Sequence, residues 1–178
     1  MEDRKAWRRI KQNEEIGFEY LFNKYYDPLC SFAEVYVRSR DISSDLVSDF
    51  FIKLWNQRHQ INIDNSVRAF IFKSVKNACL NSIRDQKKEL FNYEDFSDIL
   101  KTTELSPQER LEFKELQEEI DAIAQELPKK RKLVLLLKLK AGLSNKEIAG
   151  TLNISENTVK NQLGHAVKRL KEKLKIQI

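Results

Sequence analysis

The side chains best suited to bind a ligand lie near the C-terminal end of the chain, on a predicted helix that begins after Ser155. One side of this helix carries acidic, amide and basic groups and one glycine: Glu156, Asn157, Lys160, Asn161, Gly164 and Lys168. Asn and Lys side chains suit hydrogen bonding to base edges and phosphates. The pattern favours DNA binding, and an ordinary helical hairpin with a solvated polar face is the alternative.

A helix-turn-helix is predicted to position these side chains. Ser144 can cap a short helix over Asn145–Leu152, Asn153 and Ile154 can form a tight turn, and Ser155 can cap the longer helix. The small Ala149 stands where the two helices would cross. Such a pair braces the second helix so that its N-terminal end enters a major groove. The predicted buried side of that helix comprises Val159, Leu163, Val167, Leu170 and Leu174.

The charges are strongly segregated along the 178 residues, whose formal net charge is +5. Residues 1–88 carry 16 basic and 12 acidic side chains, residues 89–126 carry 3 and 12, and residues 127–178 carry 13 and 3. Two basic blocks therefore flank an acidic one. A basic block indicates a polyanionic partner such as nucleic acid, although a solvated lysine-rich helix has the same composition.

Apolar residues at helical spacing predict an all-α fold. Two helices are expected around Phe18–Tyr25 and Leu29–Tyr36, with Pro28 in the first turn of the second. A third helix is expected over about 45–57 with Ser43 or Ser44 as its cap. A long fourth helix follows Ser66, with an apolar stripe of Val67, Ile71, Val75, Cys79 and Ile83.

The elements divide into two small helical domains, residues 1–88 and 107–178, joined by an acidic linker over 89–106. At the junction of the linker and the second domain, Ser106-Pro107 reads as a helix start. The leucine-rich segment Leu133–Leu139 reads as an apolar helix that ends near Gly142. For its leucines, packing in the core is favoured over contact with a partner.

Composition and spacing also exclude several classes. The apolar runs are too short for a membrane span, and the chain opens Met1-Glu2-Asp3 with no apolar leader, so a cytoplasmic protein without membrane insertion is expected. Cys30 and Cys79 read as small buried side chains, and the two histidines lack companions at metal-ligand spacing. No phosphate loop or nucleophile set is found, so we expect no metal, no cofactor and no enzymatic activity.

Four segments together resemble a known family. SENTVKNQLGHAVKRL, preceded by Leu127-Pro128 and a leucine-rich helix, is similar to region 4 of sigma-70 family factors. In the first half, FEYLFNKYYDPLCSFA, DLVSDFFIKLW and SVRAFIFKSVKNACLNSIR follow region 2 of that family in order and spacing. With no domain between the two regions, the pattern resembles the extracytoplasmic-function (group 4) sigma factors.

For the first domain, the resemblance implies contact with the β′ clamp of RNA polymerase and with the melted −10 element. The polymerase face would be Asp45, Asp49 and Lys53. The single-stranded bases would be captured by Asn65, Ser66, Phe70, Lys73, Lys76, Asn77 and Arg84. These basic residues are expected on one open side of the long helix. Many members of the family have tryptophan at the position of Phe70, so the indole N–H donor is missing here.

For the second domain, the resemblance implies reading of the duplex −35 element and contact with the polymerase β flap. The matching positions are Glu156, Asn157, Thr158, Lys160, Asn161, Gln162, Gly164, His165 and Lys168. Many relatives have arginine or a bulky residue at positions 164 and 165. Gly164 costs about 1 kcal/mol of helix propensity. It either allows a close approach of the backbone to DNA or reduces base reading.

The resemblance thus predicts an alternative sigma factor, with core RNA polymerase, promoter DNA and an anti-sigma protein as partners. Two other functions remain open from the residues. A polymerase-independent helix-turn-helix regulator would account for residues 127–178 but not for the first domain. A helical nuclease would need clustered carboxylates beside a basic groove, whereas the acidic residues concentrate in the linker.

Overall fold

A computed structural model describes residues 1–64, 66–86 and 120–174. Its first four helices are α1 (Asp3–Lys11), α2 (Glu15–Val37), α3 (Arg40–Asn56) and α4 (Val67–Gln86). Residues 120–125 are also helical, and α5 (Lys129–Leu139), α6 (Asn145–Leu152) and α7 (Glu156–Leu174) follow. These described residues contain helices and no strand, so the predicted all-α class is confirmed.

α2 is one helix of 23 residues rather than the two predicted. Pro28 lies inside it, where its missing N–H removes one hydrogen bond of the helix. The helix continues through Pro28 because its apolar residues keep to one face on both sides of the proline. Leu21 and Tyr25 before it and Leu29 and Phe32 after it are all buried. Burial of that continuous face offsets the local cost.

The predicted start of α3 is also wrong. The cap is Ser39, whose Oγ accepts a hydrogen bond from the Ile42 N–H at 3.4 Å. Ser43 lies one turn inside the helix, buried, and donates its hydroxyl to the Ser39 carbonyl at 2.6 Å. Several serines precede the apolar run, so composition alone did not identify the one with an extended backbone.

The core of the first unit is largely aromatic. The rings of Phe18, Phe22 and Phe51 lie 5.0–5.9 Å apart between centroids, and Phe32 contacts Phe72 edge-on at 5.3 Å. The predicted apolar stripe of α4 faces this core, and its Val67, Ile71, Val75 and Cys79 are buried. Cys79 is buried, Cys30 is half-buried, and both are free thiols.

In the second unit, α5 contributes four buried apolar residues to the core. Leu133, Val134, Leu135 and Leu137 are buried, which confirms core packing for most of the leucine-rich segment, while Leu139 is exposed. The predicted buried side of α7 is wrong at Val167, which is exposed. Ala166 is buried instead, because α7 packs beside α5 and the segment 120–127 through Ala166 and Leu170.

The main hydrophobic cluster joins the two helical units. The main cluster runs from α1–α4 into α5, α6 and the start of α7, including Leu133, Leu143, Ile148 and Val159. α6 packs on α4, and α5 packs on α2. The predicted linker and the Ser106-Pro107 helix start lie outside the described residues. Among the described helices, none has both the length and the apolar character needed to cross a bilayer.

Candidate nucleic-acid interface

The helix-turn-helix is built by local capping. The Ser144 hydroxyl accepts the Glu147 N–H at 3.2 Å, and the Glu147 carboxylate accepts the Ser144 N–H at 2.8 Å, which forms a capping box. Asn153 ends α6 with a left-handed backbone at φ 58°. Ser155 caps α7 by accepting the Thr158 N–H at 3.0 Å. The predicted caps and turn are therefore confirmed.

The solvent side of α7 carries the residues predicted to contact the −35 element. Thr158 and Gln162 are half-buried. The exposed members are Glu156, Asn157, Lys160, Asn161, Gly164, His165 and Lys168. Val159 and Ala166 anchor the opposite side in the core. The helix therefore presents its polar face to solvent, with its N-terminal end available to a groove.

Replacement of Gly164 by alanine is expected to raise the free energy of unfolding by about 1 kcal/mol, because alanine has the higher helix propensity. A Cβ atom at Gly164 would meet no atom within 4 Å. Urea unfolding followed by circular dichroism measures the change.

Gly17→Ala provides the matched comparison and should change stability in the opposite direction. A Cβ atom at Gly17 would lie 2.5 Å from the Ala6 carbonyl oxygen, where α1 packs closely on α2. If Gly164→Ala were as destabilising as Gly17→Ala, then Gly164 would be required by the fold.

The predicted polymerase face lies on α3. Asp45, Asp49 and Lys53 are all exposed and follow one another at intervals of one turn. Ile52 lies beside them with 57% of its surface exposed. Sequence reasoning did not select Ile52, although an isoleucine outside the apolar face of the helix was the available signal. The surface therefore combines three charged residues with one exposed apolar residue.

Three of the predicted single-strand residues, Ser66, Phe70 and Lys73, line a cleft of about 650 Å³, whereas Lys76, Asn77 and Arg84 do not line it. Ser66 caps α4 by accepting the Ala69 N–H at 3.3 Å, and Phe70 and Lys73 line the cleft from α4. The loop residues Asn62, Ile63 and Asp64 form one wall. The facing wall comes from α6 and comprises Lys146, Glu147, Gly150 and Thr151. Asn65 lies outside the described residues.

The prediction that the basic residues of α4 lie on an open side is wrong at Lys76. Only 6% of Lys76 is exposed, and its ammonium donates to the Thr151 carbonyl of α6 at 2.7 Å. Burial lowers the pKa of Lys76, and the nearby charge of Lys73 lowers it further. α6 covers this position, whereas Lys73, Asn77 and Arg84 remain exposed.

Arg68 links the two units and was not selected from the sequence. Its Nε lies 3.2 Å from Glu147 Oε1, and its Nη1 donates to the Gly142 carbonyl at 2.9 Å. Burial raises the pKa of Glu147, but hydrogen bonds from Ser66 and Ser144 and the charge of Arg68 outweigh it and lower that pKa to about 2. Glu147 is therefore ionised at neutral pH while it faces α4.

No group of three or more His, Cys, Asp or Glu side chains that could hold a metal ion occurs within residues 1–64, 66–86 and 120–174. The surfaces described above carry basic, amide and acidic groups. Such surfaces bind phosphates, bases and protein partners through hydrogen bonds and charge.

Comparison with known families identifies both units. A model described as "Sigma-70 region 2" matches residues 21–89, and one described as "Sigma-70, region 4" matches residues 117–170. The chain is 22% identical over 166 residues to the ECF RNA polymerase sigma factor SigX of Bacillus subtilis (strain 168), which covers 91% of this chain and 86% of SigX. It is also 22% identical over 174 residues to the ECF RNA polymerase sigma-E factor of Escherichia coli (strain K12), covering 93% and 91% of the two chains.

Two solved structures share the fold. CnrH in complex with the cytosolic domain of CnrY aligns at a TM-score of 0.60 and 20% identity over 97% of each chain. The sigma factor RpoE in complex with the anti-sigma factor NepR from Bartonella quintana aligns at a TM-score of 0.63 and 19% identity, covering 90% of this chain and 98% of RpoE.

With a region 2 unit and a region 4 unit in family order, the chain belongs to the sigma-70 family of RNA polymerase sigma factors, in its extracytoplasmic-function group. Its role is that of an alternative sigma factor, which binds core RNA polymerase and directs promoter-specific initiation of transcription. Nothing in the comparisons supports the polymerase-independent regulator. Members of this family are initiation factors rather than enzymes.

Proposed function

We propose a division of labour between the two units of this sigma factor. Residues 1–88 bind the β′ clamp and capture the melted −10 element, residues 89–106 are a linker, and residues 107–178 read the −35 element and contact the β flap. The single observation that carries this proposal is the exposed polar face of α7, the second helix of a capped helix-turn-helix whose opposite side is anchored in the core by Val159 and Ala166.

The −35 contact is assigned to the exposed face of α7. Asn157, Lys160 and Asn161 lie in its first two turns, where a recognition helix reaches base edges. Lys168 lies two turns further along and suits a phosphate contact. The remaining members of this proposed interface are Glu156, Thr158, Gln162, Gly164 and His165.

The polymerase contact is assigned to α3. Asp45 and Asp49 would pair with basic residues of the clamp, and Lys53 extends the charged row. The exposed Ile52 supports a protein partner, since an exposed apolar residue beside charged ones suits a docking surface. Interfaces of this kind combine a dry centre with a polar rim.

The −10 contact is assigned to the cleft between the loop and α4. Phe70 offers a ring on which a base can stack, and Lys73 offers a charge for the backbone. Ser66 lines the same cleft, Asn77 and Arg84 extend the proposed site along the exposed side of α4 outside the cleft, and Asn65 completes it. Lys76 joins it only when α6 leaves α4, because its ammonium is otherwise bonded to Thr151.

An anti-sigma protein is proposed as a further partner. We also propose that the protein acts in the cytoplasm and that it catalyses no reaction of its own. The fold is shared with a sigma factor described in complex with its anti-sigma factor NepR. Sigma factors work beside DNA and polymerase, which supports the cytoplasmic assignment. The absence of chemistry is supported by the role of the family in initiation.

Run-off transcription tests the function directly. Core RNA polymerase, a pool of genomic promoter fragments and this protein are expected to give new transcripts that neither component gives alone. Core polymerase without the protein is the control. Protein that footprints duplex promoter DNA strongly without polymerase, and that adds no transcript with it, would contradict the proposal and favour a conventional regulator.

A further inference from the structure

α1 carries a row of basic side chains that the sequence reading left without a role. Arg4, Arg8 and Lys11 are spaced at i, i+4 and i+7, so they lie on one side of the helix. They line a groove of about 420 Å³ together with Trp7, Gln12 and loop residues 62–64. Three cations face a single carboxylate there, that of Asp64, so the groove is positively charged.

Two of these cations hold the loop in place. Arg4 donates to the Asp64 carbonyl at 3.0 Å, and Lys11 donates to the His59 carbonyl at 3.3 Å. Asn13, which has a left-handed backbone at φ 65°, accepts hydrogen bonds from Arg58 at 2.8 and 2.6 Å. α1 and the turn after it therefore fix the backbone of the loop. Because the acceptors of Arg4 and Lys11 are uncharged carbonyls, these hydrogen bonds do not neutralise the two cations.

The loop separates two cavities. Asn62, Ile63 and Asp64 line both the groove on α1 and the cleft that contains Phe70 and Lys73. A single strand whose base enters the cleft can cross the loop at these residues. Because bases and phosphates project in different directions from the sugar, its backbone can then lie in the basic groove.

We propose that the basic groove of α1 binds phosphates of the single DNA strand whose bases enter the cleft. This inference rests on the proposed −10 site and extends it to a helix that the resemblance did not include. Arg8 is the primary contact, because it is exposed and forms no ion pair with any residue that the structure describes. Arg4 and Lys11 contribute charge and position the loop.

The test uses the holoenzyme, reconstituted with core polymerase, and a fluorescein-labelled single strand with the nontemplate sequence of a promoter that it transcribes. Arg8→Ala is expected to weaken binding about fivefold near 0.1 M salt. The salt slope should fall by about 0.7, the value for one phosphate contact on a single strand. Arg8→Lys should restore most of the slope because the charge is retained.

Lys5→Ala is the matched control, since it removes one charge from an exposed position of α1 that does not line the groove. If Arg8→Ala and Lys5→Ala change the affinity for the single strand equally while Lys73→Ala weakens it, the groove assignment is overturned and the −10 site stands. If Lys73→Ala also has no effect, both fail. If Arg8→Ala weakens assembly with core polymerase but not strand binding, the groove binds protein and the inference is wrong.

Discussion

Phe51→Ala is expected to lower the free energy of unfolding by about 3–5 kcal/mol, the usual cost of truncating a buried aromatic residue. Only 1% of Phe51 is exposed, and its ring meets Phe18 at 5.8 Å and Phe22 at 5.0 Å between centroids. Alanine would leave a cavity between α2 and α3 that these rigid rings cannot refill. Urea unfolding followed by circular dichroism measures the loss.

The neighbouring residue provides the control. Ile52 is on the same helix but 57% exposed, so Ile52→Ala is expected to change stability by less than about 0.5 kcal/mol. The same variant should weaken core polymerase binding if the proposed face of α3 is correct. A loss of stability for Ile52→Ala equal to that for Phe51→Ala would mean that the inward face of α3 is wrongly assigned.

Sequence patterns predicted the elements whose signals are local. The caps Ser144 and Ser155 and the turn at Asn153 depend on residues within one turn of each other, and all were predicted correctly. The stripe of α4 also follows from its own spacing. Pro28 misled the prediction of α2, because tertiary burial on both sides of a proline overrides a local helix-breaking signal.

Contacts distant in sequence could not be predicted in this way. Arg68 and Glu147 are separated by 79 positions, and Lys76 and Thr151 by 75, so no local period links them. The hydrogen bonds from α1 to the loop are likewise 48 and 60 positions apart. The burial of Lys76 is therefore a property of how α6 packs on α4, which the composition of α4 does not specify.

The packing of α6 on α4 makes Glu147→Lys the variant expected to change single-strand binding by the free protein most. Its new ammonium would face Arg68, which now lies 3.2 Å from the carboxylate. The repulsion is expected to weaken the packing of α6 on α4 and with it the hydrogen bond from Lys76 to the Thr151 carbonyl. We expect the affinity for a fluorescein-labelled single strand to rise about tenfold, equivalent to about 1.4 kcal/mol, measured by fluorescence anisotropy.

Two controls separate this opening from its side effects. Ser144→Ala removes the hydroxyl half of the capping box but leaves the Arg68–Glu147 ion pair, so no gain is expected. Glu19→Lys makes the same charge change on an exposed position of α2, and so measures nonspecific attraction of the strand. If Glu147→Lys binds the single strand no more tightly than Glu19→Lys does, α6 does not obstruct the strand. If the affinity for the single strand rises in Glu147→Lys alone, the single-strand site opens when the two units separate.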